Sequence, residues 1–381
     1  KGQEWFFIPA NIVIKEQPLS LLRKSIEKIA LKIESGHIDT YTFEGVDLKP
    51  ILSHYVRNGA TLGLIELKKE ITLLEKILLI RKPSMVIAQH SLGSAYALGE
   101  LTTLRKIPAL LVTHGTHVRQ FNYYSKLEWD SHAKTIINAH YPFVAAQTPL
   151  AESYLNTLED TKSKIIRTGP LLFAKQVPNI KSSKELKQKL FGENAVKKII
   201  LHASTPKGRN SIRPWIYETN DEYISNINDA INAVDSLDNV FLAIRFRSTD
   251  YLSESTLLKL IQHSENYKVY SEGSIDEYLL ASDLLLGYSS TVIEEALINN
   301  LPVLQYDPDN KYMHIKAPSI KNNKDFELNP IYYCGDKNSL ESSIKTILEN
   351  KKSIQHQKDK WESYRYPEDK DLNWLDKLNR K

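Results

Sequence analysis

The chain has 381 residues, 41% of them hydrophobic and 25% charged, which is typical of a soluble globular protein with two ordinary domains. Its 50 Lys and Arg residues nearly balance its 46 Asp and Glu residues, and the net charge of +4 with no long basic block argues against nucleic-acid binding. The sequence contains no run of about 18 apolar residues, so it predicts no membrane-spanning helix.

Location is indicated by few features. The single cysteine, Cys334, excludes an internal disulfide and a thiolate metal cluster, which fits the cytoplasm. The basic and apolar stretch from Leu21 to Ile29 indicates either the solvated face of a packed helix or a peripheral contact at the inner face of a membrane. The chain starts at Lys1 without a signal-peptide pattern, which predicts a trimmed chain or a piece of a longer protein.

Strands and helices alternate in the first half. The predicted strands are Trp5–Ile14, Ile38–Phe43, Met85–Ala88, Ala109–Thr113, Phe143–Ala146 and Ile165–Pro170, and the predicted helices are Leu19–Ile33 and Leu62–Arg81. Polar residues follow three of these strands: Gln89-His90-Ser91, His114-Gly115-Thr116 and Gln147-Thr148. Because ligands of open α/β sheets bind beyond the carboxyl ends of the strands, these tips are expected to line one crevice.

His114 is the strongest catalytic candidate, because a histidine at a strand tip beside a glycine can act as general base on a hydroxyl group. A histidine that is only hydrogen-bonded beneath a loop is the alternative. Glu128 and Asp130 stand in an aromatic-rich segment and are candidates for a base or a nucleophile, or else are solvated helix charges. Gln89, His90, Ser91, Gly115 and Thr116 are expected on the acceptor side.

A segment without clear periodicity, Leu171–Lys187, is predicted to link two domains. The second half again alternates. Its predicted strands are Lys198–Ala203, Val240–Phe246, Tyr267–Tyr270, Leu284–Leu286, Pro302–Tyr306 and Ile331–Cys334, and its predicted helices are Asp221–Ser236, Glu254–His263, Ile275–Ala281, one that begins at about Thr291, and Asn338–Glu349. This order predicts an α/β protein with mainly parallel sheets.

The short turn from Gly287 to Ser290 joins an apolar strand to a helix that begins at about Thr291. Free backbone N–H groups, hydroxyl groups and the helix dipole all favour an anion there, so the turn suits a diphosphate. Tyr288 lies within the turn. Thr291 and Glu294 also have the spacing of a capping box, in which Glu294 would only satisfy backbone donors.

This segment resembles the C-terminal domain of GT-B glycosyltransferases of bacterial surface-polysaccharide synthesis. The residues that match their "aD…g.SS…EAl..g.PVi" pattern are Ser282-Asp283, Gly287, Ser289-Ser290, Glu294-Glu295-Ala296-Leu297 and Leu301-Pro302-Val303-Leu304. The resemblance implies that Ser289 and Ser290 bind phosphate, that two Rossmann-like domains face each other across a cleft, and that no essential metal or other cofactor is needed. It implies domains at 1–172 and 173–350, with a helical tail at 351–381 that packs back on the first domain through Trp361, Tyr364 and Trp374.

Two further elements are candidates for donor binding. Arg245 matches the arginine of the "lilRlHP" pattern of relatives in capsule and teichoic-acid synthesis, whereas Arg247-Ser248 replaces the His-Pro pair. Arg245 and Arg247 suit a phosphate or a sugar carboxylate, and a structural ion pair is the alternative. The loop with Ser204, Thr205 and Lys207 suits a second phosphate contact or is an ordinary surface loop.

The resemblance therefore predicts a glycosyltransferase that moves a sugar from a CMP-activated ulosonic acid such as Kdo, or from a UDP-sugar, to a glycan or glycolipid acceptor. The alternatives are a CDP-glycerol-type polyol-phosphate transferase, which the missing His-Pro pair disfavours, a UDP-N-acetylglucosamine 2-epimerase-like isomerase, and a non-catalytic glycan- or partner-binding module of a larger assembly protein.

Overall fold

The structure is a computed structural model. It describes residues 16–36, 41–113, 118–137, 140–158, 163–172, 183–204, 206, 215–249, 251–320, 326–367 and 374–379. The predicted strand Trp5–Ile14 lies wholly outside these ranges. Five of the predicted site residues also lie outside them: His114, Gly115, Thr116, Thr205 and Lys207.

From Val86 to Tyr306 the described helices and strands alternate, as the sequence predicts. The helices are α1 Glu16–Ser35, α2 Lys49–Tyr55, α3 Thr61–Arg81, α4 Ser94–Leu104, α5 Tyr123–Ile137, α6 Pro149–Leu155, α7 Ser183–Phe191, α8 Asn220–Asp235, α9 Glu254–Leu260, α10 Ile275–Ala281, α11 Thr291–Ile298, α12 Leu340–Gln355, α13 Lys358–Trp361 and α14 Trp374–Asn379. The strands are β1 Thr42–Phe43, β2 Val46–Asp47, β3 Val86–Ala88, β4 Ala109–Leu111, β5 Phe143–Ala146, β6 Lys164–Arg167, β7 Lys198–His202, β8 Val240–Arg245, β9 Tyr267–Tyr270, β10 Leu284–Gly287, β11 Val303–Tyr306 and β12 Ile331–Cys334.

The larger sheet has six parallel strands in the order β12-β11-β10-β7-β8-β9. Its central strands β8 and β10 read as almost continuous apolar runs, as expected where helices cover both faces of a sheet. The β7 residues Ile199–Leu201 and the β10 residues Leu284–Leu286 are completely or almost completely buried in one core. The smaller sheet has the order β3-β4-β5-β6, with β5 and β6 parallel. Two Rossmann-like parallel sheets are therefore present, which confirms the predicted fold class.

Several element limits differ from the prediction. The predicted linker is helical in its last part, because α7 begins at Ser183 and buries Leu186. Four helices of the first half, α2, α4, α5 and α6, were not predicted, nor was the five-residue π-helical turn Val56–Ala60. Helix α9 stops at Leu260 rather than His263, since the N–H of Gln262 donates to the side chain of Asn228 at 2.8 Å. A distant side chain thus ends a helix whose local pattern continues.

Backbone contacts divide the chain into two units, residues 1–110 with 139–142 and residues 111–138 with 143–381. The second unit contains the six-stranded sheet, and the predicted domain limits at 172 and 350 remain a prediction. Within this unit Trp361 is fully buried in the core of the large sheet, and Tyr364 packs against that core. The hydroxyl of Tyr366 donates to the carboxylate of Glu152 at 2.9 Å. None of the helices in the described ranges is long and apolar enough to cross a membrane.

Candidate functional site

The predicted anion-binding turn lies where the order of the large sheet reverses. From β7 the chain builds β8 and β9 on one side, and it then returns to build β10, β11 and β12 on the other side. The carboxyl ends of the neighbouring strands β7 and β10 therefore flank the switch point, where ligands of open α/β sheets bind. Residues Gly287–Ser290, which we call the phosphate turn, begin at the last residue of β10, and Ser204 lies two residues after the end of β7.

Hydrogen bonds join these two strand ends. The N–H of Tyr288 donates to the hydroxyl of Ser204 at 3.2 Å. A Cβ atom on Gly287 would lie 3.6 Å from the carbonyl oxygen of Ala203, an ordinary contact, so the fold itself does not require glycine there. Within the described ranges, the backbone N–H groups of Ser289, Ser290 and Thr291 have no protein acceptor. They remain available to a ligand or to water.

The capping-box interpretation of Thr291 and Glu294 is wrong. Ser290, rather than Thr291, caps α11, and its hydroxyl accepts from the N–H of Val292 at 3.2 Å. The Glu294 carboxylate instead bonds to Nε2 of the buried His314 at 3.1 Å, and Nδ1 of His314 bonds to the hydroxyl of Tyr312 at 2.7 Å. His314 carries no local sequence signal, because it lies in an irregular segment after β11.

A short segment supports the phosphate turn from the side. Residues Trp215–Thr219, which we call the support loop, precede α8. The hydroxyl of Tyr288 donates to the carbonyl oxygen of Trp215 at 3.0 Å, and the hydroxyl of Ser289 donates to that of Ile216 at 2.6 Å. The position of the turn therefore depends on a segment about 70 residues away in the chain, which the sequence alone did not connect to it.

Two catalytic candidates, Glu128 and Asp130, lie on α5. The Glu128 carboxylate accepts hydrogen bonds from the N–H groups of Trp215 and Ile216 at 3.0 and 3.1 Å, and so it holds the support loop. Asp130 accepts from the hydroxyl of Tyr154 at 3.0 Å, and burial and the Asp130 charge raise the pKa of Tyr154. Both carboxylates thus have structural partners, and their catalytic roles remain predictions.

An exposed aromatic surface adjoins the support loop. The rings of Tyr124 and Trp215 stack with centroids 4.6 Å apart and planes 12° apart, and the ring of Tyr123 meets Tyr124 edge-on. All three side chains are exposed. Because the carbonyl group of Trp215 bonds to Tyr288, this flat apolar surface is attached to the phosphate turn.

The side chain of Arg245 forms hydrogen bonds with backbone carbonyl groups of the protein. Its guanidinium donates to the carbonyl oxygens of Phe246, Tyr270 and Gly273 at 2.9–3.0 Å and lies 5.7 Å from the centre of the Tyr278 ring. These contacts lock the ends of β8 and β9 together, which is the structural alternative to donor binding. Arg247 is exposed, and no described residue accepts a hydrogen bond from it. A donor-binding role therefore fits Arg247 better than Arg245.

We expect lysine substitutions to separate these two arginines. Arg245→Lys removes bonds to carbonyl groups that one ammonium cannot replace, and it should lower the free energy of unfolding by roughly 1–3 kcal/mol. Arg247→Lys should leave the unfolding free energy unchanged and reduce nucleotide affinity. Urea unfolding and calorimetric titration measure the two effects, and an unaffected Arg245→Lys protein would contradict the structural role.

The remaining site predictions lie elsewhere. Gln89, His90 and Ser91 follow β3 in the first unit, where the side chains of Gln89 and His90 are exposed and Ser91 is buried. Nδ1 of His90 accepts from the N–H of Leu92 at 3.4 Å. Within the described ranges no group of three or more His, Cys, Asp or Glu side chains could hold a metal ion. That the protein works without a metal remains an expectation.

The chain matches no protein-family model and no curated relative. It is similar to solved structures. The structure of MnaA from S. aureus with UDP has 17% identity and a TM-score of 0.52 over 79% of this chain and 77% of that chain. The UDP-GlcNAc 2-epimerase from Neisseria meningitidis bound to UDP-GlcNAc has 16% identity and a TM-score of 0.50 over 78% of this chain and 75% of that chain. These likenesses, with the two parallel sheets, show that the chain has the GT-B fold.

Proposed function

We propose that this protein is an enzyme that acts on a nucleotide-activated sugar and holds its diphosphate at the phosphate turn. The observation that carries the proposal is the set of backbone N–H groups of Ser289, Ser290 and Thr291, which lack protein acceptors in the described ranges and stand at the switch point of the sheet. Such donors at a helix N-terminus stabilise a phosphate group.

A UDP-sugar is the donor that we favour over a CMP-activated ulosonic acid such as Kdo. The case for an ulosonic acid rests on a pair of arginines that would bind the sugar carboxylate. The guanidinium of Arg245 is occupied by three carbonyl oxygens, which leaves Arg247 as the remaining arginine of the pair. The two similar structures described above contain UDP and UDP-GlcNAc, which supports a uridine nucleotide.

Transfer to a glycan or glycolipid acceptor is the reaction that we propose first. The aromatic surface of Tyr123, Tyr124 and Trp215 fits this reaction, because exposed aromatic rings offer a large apolar face with a polar edge to a sugar ring. The acceptor would approach the phosphate turn from the support loop. A peripheral contact with a membrane, or with a larger assembly, would supply a glycolipid acceptor.

Epimerisation of a UDP-sugar is the second candidate, favoured by the likeness to the 2-epimerase of Neisseria meningitidis. The two reactions differ in their need for an acceptor. A transferase releases UDP in an acceptor-dependent reaction, whereas an epimerase changes the sugar configuration without any acceptor. Product analysis of UDP-GlcNAc incubated with the protein alone therefore separates them.

The proposal is tested by the melting temperature in the presence of UDP, CMP, CDP and GDP. A ligand that binds only the folded state raises the melting temperature by mass action, and at a concentration 100 times its Kd it contributes about 2.7 kcal/mol. We expect the largest shift with UDP. A shift with CMP alone would restore the ulosonic-acid donor, a shift with CDP alone would favour a polyol-phosphate transferase, and no shift with any nucleotide would support a non-catalytic module.

Alanine variants of the three catalytic candidates are expected to behave differently. His114→Ala should reduce turnover by roughly 10²–10⁴-fold through loss of a general base, while UDP affinity is retained. Glu128→Ala should weaken UDP binding as well, because Glu128 holds the support loop. Asp130→Ala should leave both nearly unchanged. Turnover and calorimetric titration of all three variants check this, and a fully active His114→Ala enzyme would transfer the base to another residue.

A further inference from the structure

A buried carboxyl group lies behind the phosphate turn and is not used by the proposed chemistry. Glu218, in the support loop, is only 3% exposed, and its Oε1 accepts from the side-chain amide of Asn226 at 2.8 Å. Its carboxyl group also interacts with the hydroxyl of Ser204. Because that hydroxyl accepts from the N–H of Tyr288, one chain of polar contacts joins Glu218 to the turn.

The surroundings of Glu218 contain charges of both signs. The groups that face it come from α8, from the segment after β11, and from the ends of β7 and β10, and they are Glu222, Tyr223, Asn226, Lys311, Ser204 and Tyr288. The only cation among these groups is Lys311, whose ammonium is already bonded to Glu222 at 2.6 Å. An ionised Glu218 would therefore add a poorly compensated negative charge behind a site that we expect to hold an anion.

Burial is the main reason why Glu218 stays protonated to a higher pH than an exposed glutamate does. It raises the pKa of Glu218 to about 7, against the lowering effects of Asn226 and Lys311. The neutral form is favoured in the folded protein, so this group contributes stability at acid pH that is lost as the pH rises from 4.5 through about 7. An anion at the phosphate turn favours the neutral form further, because like charges repel.

We propose that Glu218 is a positioning residue that must be protonated for a diphosphate to bind tightly, so that ligand binding takes up one proton through the Glu218–Ser204–Tyr288 contacts. This inference rests on the proposed binding of a nucleotide diphosphate at the turn. Once the carboxyl group is neutral, it can keep its hydrogen bond from Asn226 and its interaction with Ser204 without repelling the ligand. Above neutral pH the ligand must first overcome the cost of protonating it.

The test is calorimetric titration with UDP-GlcNAc at several pH values between about 5.5 and 8.5, in buffers with different ionisation enthalpies. The diphosphate diester of this probe does not titrate in the range, so proton uptake belongs to the protein. For the wild-type protein we expect affinity to fall by up to about tenfold per pH unit above neutrality, since a single proton is linked to binding. Uptake of nearly one proton should accompany binding at pH 8.

Two variants make the test specific. Glu218→Gln keeps the acceptor for Asn226 but has no titrating proton. Over the whole pH range it should therefore bind UDP-GlcNAc with the affinity that the wild-type protein has at pH 6, and binding should take up no proton. Glu222→Gln is the matched control, because glutamine also serves in the capping box that starts α8. It removes a like charge and releases Lys311, and so it should keep the linkage but move its midpoint to lower pH.

The possible failures are distinguishable. If UDP-GlcNAc binds without proton uptake, or if Glu218→Gln keeps the wild-type pH dependence, Glu218 has no positioning role and the proposed nucleotide site stands. If UDP-GlcNAc and inorganic pyrophosphate both fail to bind at pH 6 and at pH 8, the proposed function fails and this inference fails with it. Thermal unfolding at pH 8 checks that Glu218→Gln is folded. We expect its melting temperature to be no lower than that of the wild type.

Discussion

Replacing Ser289 and Ser290 together by alanine is expected to weaken nucleotide binding by about 10- to 100-fold and to leave the protein folded. A hydrogen bond to a charged group contributes roughly 1.5–3 kcal/mol, and each 1.4 kcal/mol corresponds to about tenfold in affinity. The hydroxyl of Ser289 also anchors the turn to the carbonyl group of Ile216, so its loss loosens the turn. Calorimetric titration with UDP measures the effect, and an unchanged affinity would contradict the assignment of the phosphate site.

The Ser290 substitution also removes the cap of α11, which by itself costs roughly 0.5–2 kcal/mol of stability. Ser253→Ala is the matched control, because Ser253 caps α9 in the same way, with its hydroxyl accepting from the N–H of Thr256 at 3.1 Å. The control should lose similar stability and keep full nucleotide affinity. If it loses affinity to the same degree, the effect at Ser290 reflects general destabilisation.

Asp283→Ala is expected to lower the free energy of unfolding by about 3–5 kcal/mol, the usual cost of removing one partner from a buried charged cluster. Asp283 is 8% exposed. Its carboxylate accepts from the ammonium groups of Lys187 and Lys351 at 2.9 and 2.7 Å and from the N–H of Ile199 at 2.9 Å. One side chain therefore fastens α7 and α12 to the starts of β7 and β10, and urea unfolding measures its loss.

Two comparisons sharpen this prediction. Glu327→Ala breaks the exposed ion pair with Lys360 and should destabilise the protein much less than Asp283→Ala does. Burial raises the pKa of Asp283, but Lys351, Lys187 and the Ile199 N–H outweigh burial, so the net pKa is lowered. Stability from this group is thus present above its ordinary pKa of 3.8 and lost as the pH falls below it, a loss that Asp283→Asn should not show. A cost of Asp283→Ala equal to that of Glu327→Ala would refute the buried cluster.

Asp283 also shows that a sequence pattern can include residues that lie away from the ligand site. It belongs to the run of residues that resembles the GT-B phosphate segment, yet it lies at the start of β10, whereas the phosphate turn follows the end of that strand. Glu294 shows the same in another way, since its spacing fits a capping box while its carboxylate bonds to His314. A local pattern fixes which residues are near in the chain, but it does not fix what each side chain faces.

The sequence by itself determined the alternation of strands and helices, the strand–turn–helix unit around Gly287–Ser290 and the α/β class, because apolar periodicity and turn residues act over a few neighbouring positions. Only the tertiary structure decided the partners of the polar groups. Arg245 binds a carbonyl group 28 residues away, Glu128 binds N–H groups 87 and 88 residues away, and Glu218 is buried where the support loop meets the ends of β7 and β10. A charged side chain can bind a ligand, hold the structure together or take up a proton. Which of these it does depends on its burial and on hydrogen-bond donors that are distant in the chain, and no local pattern encodes either.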